Sequence, residues 1–462
     1  MKKIFQNISI DSIWHGGIGI GTAPDGKKIL VKWGILPGSV IDVIVVKSRA
    51  DYYDCHVQQI HHIDPAYTGG EVVCPHYLFH PDRASMPAHK TWCWWCKRQI
   101  INYPAQLALK RSLIQELFDM QIPTPIPSPQ IFGYRNKIEY SFGKYISHAQ
   151  SIHQDRALGF HQQWQFSKIV DIDQCYLVDD TMRLLYRDIK ALCISNGLST
   201  YDQMKHTGTL RHLMMKQWHD GIMLVVSAYQ HIDNTRYRFL ESLKAYTDRI
   251  STCIVSYNNW LADTIYDRDT KNEILRWSWL IHQHLMIDGH TRVFEVWPQS
   301  FFQTNTQWAQ LLFQTVSDMM MDTWWVLLDL YCGAGAVWLS LSHRFDSLVW
   351  VDIVESAITS ARINADTNHI SHALFYAWKA EKIIKDLSIS PDTIIVDPPR
   401  EWLHPDVIDF INTTPHKQLI YISCNPVTLA RDTKLLDKTL MKIQPLDMFP
   451  HTHHVETIAI YG

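Results

Sequence analysis

Three runs near the carboxy terminus end in residues able to do chemistry. QLIYISC (418–424) puts Cys424 at the end of an apolar strand pattern, DTIIVD (392–397) puts Asp397 at the end of another, and PHTHHVET carries Glu456. A thiolate presented at a strand end can add to an electrophilic carbon, and a carboxylate within reach can later take up a proton. Each also has a plainer reading: cysteine is among the most buried residue types, and a lone glutamate near a chain end is usually a surface residue. Upstream, VLLDL (326–330) runs into Tyr331-Cys-Gly-Ala-Gly335 and then a helical pattern. Glycines between strand and helix let the backbone approach a ligand. Asp352 closes the next apolar run, 19 residues after Gly333, about where nucleoside-binding sheets place an acid for ribose hydroxyls. No second phosphate-binding glycine follows, which favours S-adenosylmethionine over a dinucleotide.

The cysteines form a second group. Cys93 and Cys96 have CxxC spacing, and with Cys74 and Cys175 they offer four thiolates. A CxxC alone reads equally as half a metal site, a redox pair or coincidence. Nine cysteines in a chain whose start lacks a signal-peptide core argue against a disulfide framework.

These residues need elements to position them. The 462 residues, 46% hydrophobic and 19% charged, suit two or three globular domains. Residues 1–60 alternate polar and apolar between glycine turns, the pattern of a small β-barrel. Residues 61–290 open with the cysteines, hold one clear helix in NYPAQLALKRSLIQELF, and otherwise read as strands such as KIEYSFGKY, ALGFH, MLVVSAY and CIVSYNN. Residues 291–462 alternate strand and helix, predicting an α/β, Rossmann-like domain with ligands at the carboxyl ends of its strands. No apolar run approaches the ~20 residues needed to span a bilayer, so a cytoplasmic protein without a membrane partner is expected. The net charge of −3 gives no global nucleic-acid signature, so any RNA contact must be local. Arg135 and Lys137, beside aromatics in YRNKIEYSFG, suit phosphate contact and base stacking, or equally a solvated strand edge.

Taken together, LDLYCGAGAVWLSLS, VDPPRE, YISCNPVTLARD, MFPHTHHVET and PQSFFQTN (298–305) resemble the RNA uracil-C5 methyltransferase family (RumA/TrmA type) in order and spacing. The resemblance implies Cys424 as nucleophile towards uracil C6, Glu456 as the base that removes the C5 proton, and Gln303, Tyr331, Gly333, Asp352 and Asp397 as contacts to S-adenosylmethionine. It also implies a TRAM-like amino-terminal barrel and a [4Fe–4S] cluster on Cys74, Cys93, Cys96 and Cys175, with zinc the second choice. The 18 residues between Cys74 and Cys93 exceed the family's usual gap and would loop out. The implied partner is RNA, ribosomal rather than transfer RNA on account of the barrel, and a monomer is expected.

Tryptophan is overabundant: 18 against only 19 glycines, where glycine ordinarily makes up about 7% of residues. Trp stands where the resembling family has Gly at 33, 94, 95, 164, 260, 277, 279, 297, 338 and 402. Few residues are less alike, one large and apolar, the other free to adopt positive φ. The pattern predicts a genome reading UGA as glycine, with several of these tryptophans at positive φ or unusually exposed.

Overall fold

A computed structural model of the chain describes residues 3–462 except 15, 33, 78–92, 94, 145–155, 163–164, 230–238, 240–241, 247, 266–270, 278–279, 301, 322–325, 385–386, 388 and 401. At the amino terminus, polar–apolar alternation and glycine turns fold five strands into a closed barrel. They are β1 (Ile4–Trp14), β2 (Ile18–Thr22), β3 (Lys28–Val31), β4 (Val40–Ser48) and β5 (Tyr52–His62), in the order β1-β2-β3-β5-β4. Ile10, Ile29, Val31, Ile41 and Val43 fill its interior.

The helix α1 (Tyr103–Gln115) starts where the Asn102 side chain accepts from the Ala105 amide, with Pro104 in the first turn. A seven-stranded sheet follows, built from β6 (Lys137–Gly143), β7 (Ala157–Gln162), β8 (Gln165–Asp171), β9 (Leu210–Trp218), β10 (Gly221–Ala228), β11 (Ile250–Tyr257) and β12 (Lys271–Trp277). Its order is β12-β11-β10-β9-β6-β7-β8. The expectation that this region is otherwise strands needs one correction: α2 spans Asp180–Ser195. Its Met182, Leu185, Tyr186, Ile189 and Cys193 are buried against the sheet, at spacings that follow the helical period. Asp179 caps it, accepting from the Met182 amide at 2.9 Å.

A ribbon of β13 (Ile281–Ile287) and β14 (His290–Val296) leads into the last sheet. That sheet has β15 (Val326–Asp329), β16 (Ser347–Asp352), β17 (Ala373–Ala377), β18 (Thr393–Val396), β19 (Gln418–Ser423), β20 (Leu440–Leu446) and β21 (Glu456–Tyr461), in the order β17-β16-β15-β18-β19-β21-β20. β15 to β19 run parallel, and β21 is antiparallel to β19. Strand order reverses between β15 and β18, the crevice where open α/β sheets bind ligands. The inner parallel strands β15, β16, β18 and β19 are largely buried on both faces, which is why they read as unbroken apolar runs. Among the described residues no helix is long and apolar enough to cross a membrane.

The tryptophans divide. None of the described ones has a positive φ, against that part of the expectation. Trp95, Trp260 and Trp402 are exposed, whereas Trp338 is fully buried. Trp33, Trp94, Trp164 and Trp279 lie outside the described residues, as does the side chain of Trp277. Three further indoles, Trp218, Trp308 and Trp350, bury an N–H with no acceptor, although buried Trp usually finds one.

Candidate active site

The glycine loop leaves β15 and turns into the helix Ala336–Leu341 through Gly333 (φ 55°) and Gly335 (φ 79°), conformations that side chains with a Cβ rarely adopt. Asp352, at the end of β16, holds the loop: one carboxylate oxygen accepts from the Gly333 amide at 2.9 Å and the other from the Val354 amide at 2.8 Å. Asp329, wholly buried, accepts from the Tyr331 amide with one oxygen and leaves the other without a partner. A buried, unsatisfied carboxylate oxygen beside a glycine loop suits a polar ligand. Burial pushes the Tyr331 hydroxyl up to about 12. Gln303 lies in the segment before the helix Thr306–Met319, and its backbone carbonyl accepts from the Asn136 amide group at 3.0 Å.

Cys424 and Glu456 meet across the sheet. β19 and β21 pair through Ser423 and Thr457, so the two residues, one position further along, oppose each other at the strand ends. Cys424 is held between Ser423 and Asn425. Asn425 accepts from the Val427 amide to start the helix Pro426–Thr433 and donates to the Arg400 carbonyl. Asp397, beyond β18, and Arg400 complete the group. Burial pushes the Cys424 thiol up to about 11, with Glu456 and Asp397 adding to the effect, while Arg400, hydrogen-bonded to the thiol, opposes it. Burial, then Asp397, raises Glu456 to about 8 against Arg400 and Lys110. Burial raises Asp397 to about 7. Burial thus favours the protonated thiol and holds both carboxyls above the ordinary carboxylate range.

The four cysteines also converge. Cys74, Cys93, Cys96 and Cys175 line one cavity of about 450 Å³, and none is in a disulfide. The long gap between the first two closes by pairing: the Cys93 amide donates to the His76 carbonyl at 2.9 Å, and Tyr77 bridges Cys93. The expected loop between them, within 78–92, lies outside the described residues. Four thiols from three segments, none of them in a disulfide, are a donor set that fits a cubane cluster or one zinc ion. Arg135 and Lys137 line the same cavity rather than an open stripe, and the Arg135 guanidinium lies 5.6 Å from the Trp95 ring. The remaining thiols, Cys55, Cys193, Cys253 and Cys332, are buried.

Three contributors escaped the sequence reading. Arg400 sits in the VDPPR run, where its motif could have suggested a role beside Cys424. Asn136, inside the basic YRNK run, donates to the Gln303 carbonyl and to the Thr306 hydroxyl, tying the start of β6 to the helix Thr306–Met319. Lys110 reads as one charge on an amphipathic helix, and only the fold brings it near Glu456.

Residues 258–461 match the family described as tRNA (Uracil-5-)-methyltransferase. A tRNA (uracil(54)-C(5))-methyltransferase of Pyrococcus abyssi is 32% identical over 375 residues, covering 79% of this chain and 83% of its own. A protein of Bacteroides thetaiotaomicron described as an uncharacterized RNA methyltransferase is 29% identical over 451 residues, 92% of this chain and 95% of its own. The crystal structure of the Pyrococcus abyssi tRNA (uracil-54, C5)-methyltransferase in complex with S-adenosyl-L-homocysteine aligns over 100% of both chains, with a TM-score of 0.73 and 27% identity. That alignment takes in the barrel, so a barrel does not by itself select ribosomal over transfer RNA. The chain belongs to the RNA uracil-C5 methyltransferase family.

Proposed function

We propose that the protein forms 5-methyluridine at an unpaired uridine of RNA by S-adenosylmethionine-dependent methyl transfer through a covalent Cys424 adduct. The observation that carries this is the opposition of Cys424 and Glu456 at adjoining strand ends, beside Asp397 and Arg400. Uracil C5 is too weak a nucleophile to take a methyl group unaided. Sulfur addition to C6 moves the C5=C6 electron pair towards O4 and leaves an enolate whose C5 is nucleophilic. Arg400 favours the thiolate needed for that addition. S-adenosylmethionine supplies the methyl group and departs as a neutral thioether. Glu456 then takes the C5 proton, the electron pair re-forms C5=C6, and the C6–S bond breaks to release thiolate. Gln303, Tyr331, Gly333, Asp352 and Asp397 hold the cofactor in this reading. A uridine inside a duplex cannot reach Cys424, so the target is looped out or flipped.

Cys74, Cys93, Cys96 and Cys175 are proposed as ligands of a [4Fe–4S] cluster, to which no step of the methyl transfer is assigned. The amino-terminal barrel is proposed to be a TRAM-like RNA-binding module, and 1–60, 61–290 and 291–462 to be three domains. Ribosomal RNA was the substrate expected from the sequence. Transfer RNA is the second reading, favoured by the substrate named for the Pyrococcus relative. Incubation of the protein with labelled S-adenosylmethionine and transcripts of both RNAs, followed by nucleoside analysis, tests the proposal. Label in 5-methyluridine that disappears with Cys424→Ala supports it, and label in any other nucleoside overturns it.

A further inference from the structure

The connector 447–455 between β20 and β21 delivers Glu456, and side chains from distant segments grip it residue by residue. Lys110, on α1 and fully buried, donates to the Asp447 carboxylate at 2.5 Å and to the Phe449 carbonyl at 3.1 Å. Asn305 donates to the Met448 carbonyl at 3.2 Å, and the Tyr134 hydroxyl to the Pro450 carbonyl at 3.2 Å. Gln106, one turn before Lys110, accepts from the His451 amide at 2.8 Å and lies 3.2 Å from its ring nitrogen. His451 has φ 65°, a backbone state that non-glycine residues hold only when their surroundings enforce it. The Lys110–Asp447 pair has no exposure on either side. Such a pair is poor value as stability, because desolvation offsets most of its attraction. Its geometry is what a fixed connector needs.

We infer that Lys110 and Gln106 are positioning residues for Glu456, clamping the connector so that the carboxyl meets the C5 proton of the adduct. The inference rests on the reading of Glu456 as the base. It assigns a step-specific role to a helix far in sequence from every motif of the catalytic sheet. Neither side chain contacts Cys424 or the glycine loop in any hydrogen bond of the described residues, so sulfur addition and methyl transfer are left to the other strands. Lys110 is also one of four groups whose charge acts on Glu456, with Asp397, Arg400 and Cys424. As a cation it favours the ionised, basic form.

The test uses the full chain and a transcript, carrying tritium at uridine C5, that the wild-type enzyme methylates. Tritium release reports proton removal, and denaturant-resistant protein–RNA complex reports the sulfur adduct. Lys110→Met and Gln106→Leu should form adduct within twofold of the wild-type rate, with an unchanged KM for S-adenosylmethionine. Both should release tritium at least tenfold more slowly and accumulate methylated adduct. For Lys110→Met the rising limb of release against pH should move to higher pH, and Lys110→Arg should recover part of the rate. Equal slowing of adduct formation and release, or release at the wild-type rate, overturns the inference. Should Lys110→Met fail to fold, Gln106→Leu decides alone, since it removes no buried charge. Glu456→Gln separates the two readings. Wild-type release in that variant removes the base itself, whereas a trapped adduct there beside normal release in Lys110→Met and Gln106→Leu removes only the positioning role.

Discussion

In the proposed reaction Cys424 and Glu456 do opposite jobs at one carbon–carbon bond, and their environments set when each can act. Burial holds the thiol up to about 11 and the carboxyl up to about 8, so the resting site is protonated at both positions. A base raised above its ordinary value loses its competent form as pH falls through the raised value. Proton removal should therefore quicken from pH 7 to pH 9 and level off above, measured as tritium release under single turnover. A flat profile would place the base elsewhere. Cys424→Ala should abolish methyl transfer while leaving S-adenosylmethionine affinity within about twofold by calorimetry, because the thiol faces the base rather than the glycine loop. Glu456→Gln should slow proton removal by roughly 10²–10⁴-fold and leave a methylated adduct. Cys424 is announced in the sequence by its place at the end of an apolar strand run, whereas Glu456 is picked out only by the family resemblance. Arg400 is marked by its VDPPR run, whereas Lys110 is not, since its value lies in its nearness to Glu456, which only folding supplies.

At the scale of elements, legibility follows burial. β15, β16, β18 and β19 are covered on both faces and stand out as apolar runs ending in Asp329, Asp352, Asp397 and Cys424. α2 was hidden because its apolar residues fall among short strands, and its period shows only when 182–193 is read as one face. The cysteine site was half legible. CxxC marks Cys93 and Cys96, but Cys74 joins them only through the pairing of Tyr77 with Cys93. Protein purified without oxygen should be brown with about four irons per chain, and Cys96→Ser should be colourless. Colourless wild-type protein with one bound zinc would refute the iron–sulfur assignment and leave the four-thiol site standing.

Across the whole molecule, a barrel, a central sheet and a parallel sheet bring segments hundreds of residues apart to one place: Lys110 meets Asp447, and Asn136 meets Gln303. The tryptophans bear on the same scale. Exposed Trp95, Trp260 and Trp402 and the unpartnered indoles of Trp218, Trp308 and Trp350 accord with miscoded glycines, while the absence of positive φ among the described tryptophans does not. The gene should carry UGA at these codons, and the native peptide 91–97 should weigh as Gly at 92, 94 and 95; UGG codons there would end the idea. The proposed reaction turns on a covalent bond between Cys424 and uracil C6, and fluorine at C5 tests that bond because it cannot leave as a proton does. The protein should be incubated with S-adenosylmethionine and a 5-fluorouridine transcript, then digested and examined by mass spectrometry. A methylated 5-fluorouridine nucleotide attached to the peptide containing Cys424 is the expected product; an adduct on another residue, or none at all with a transcript whose uridine form is methylated, would rule out the Cys424 adduct.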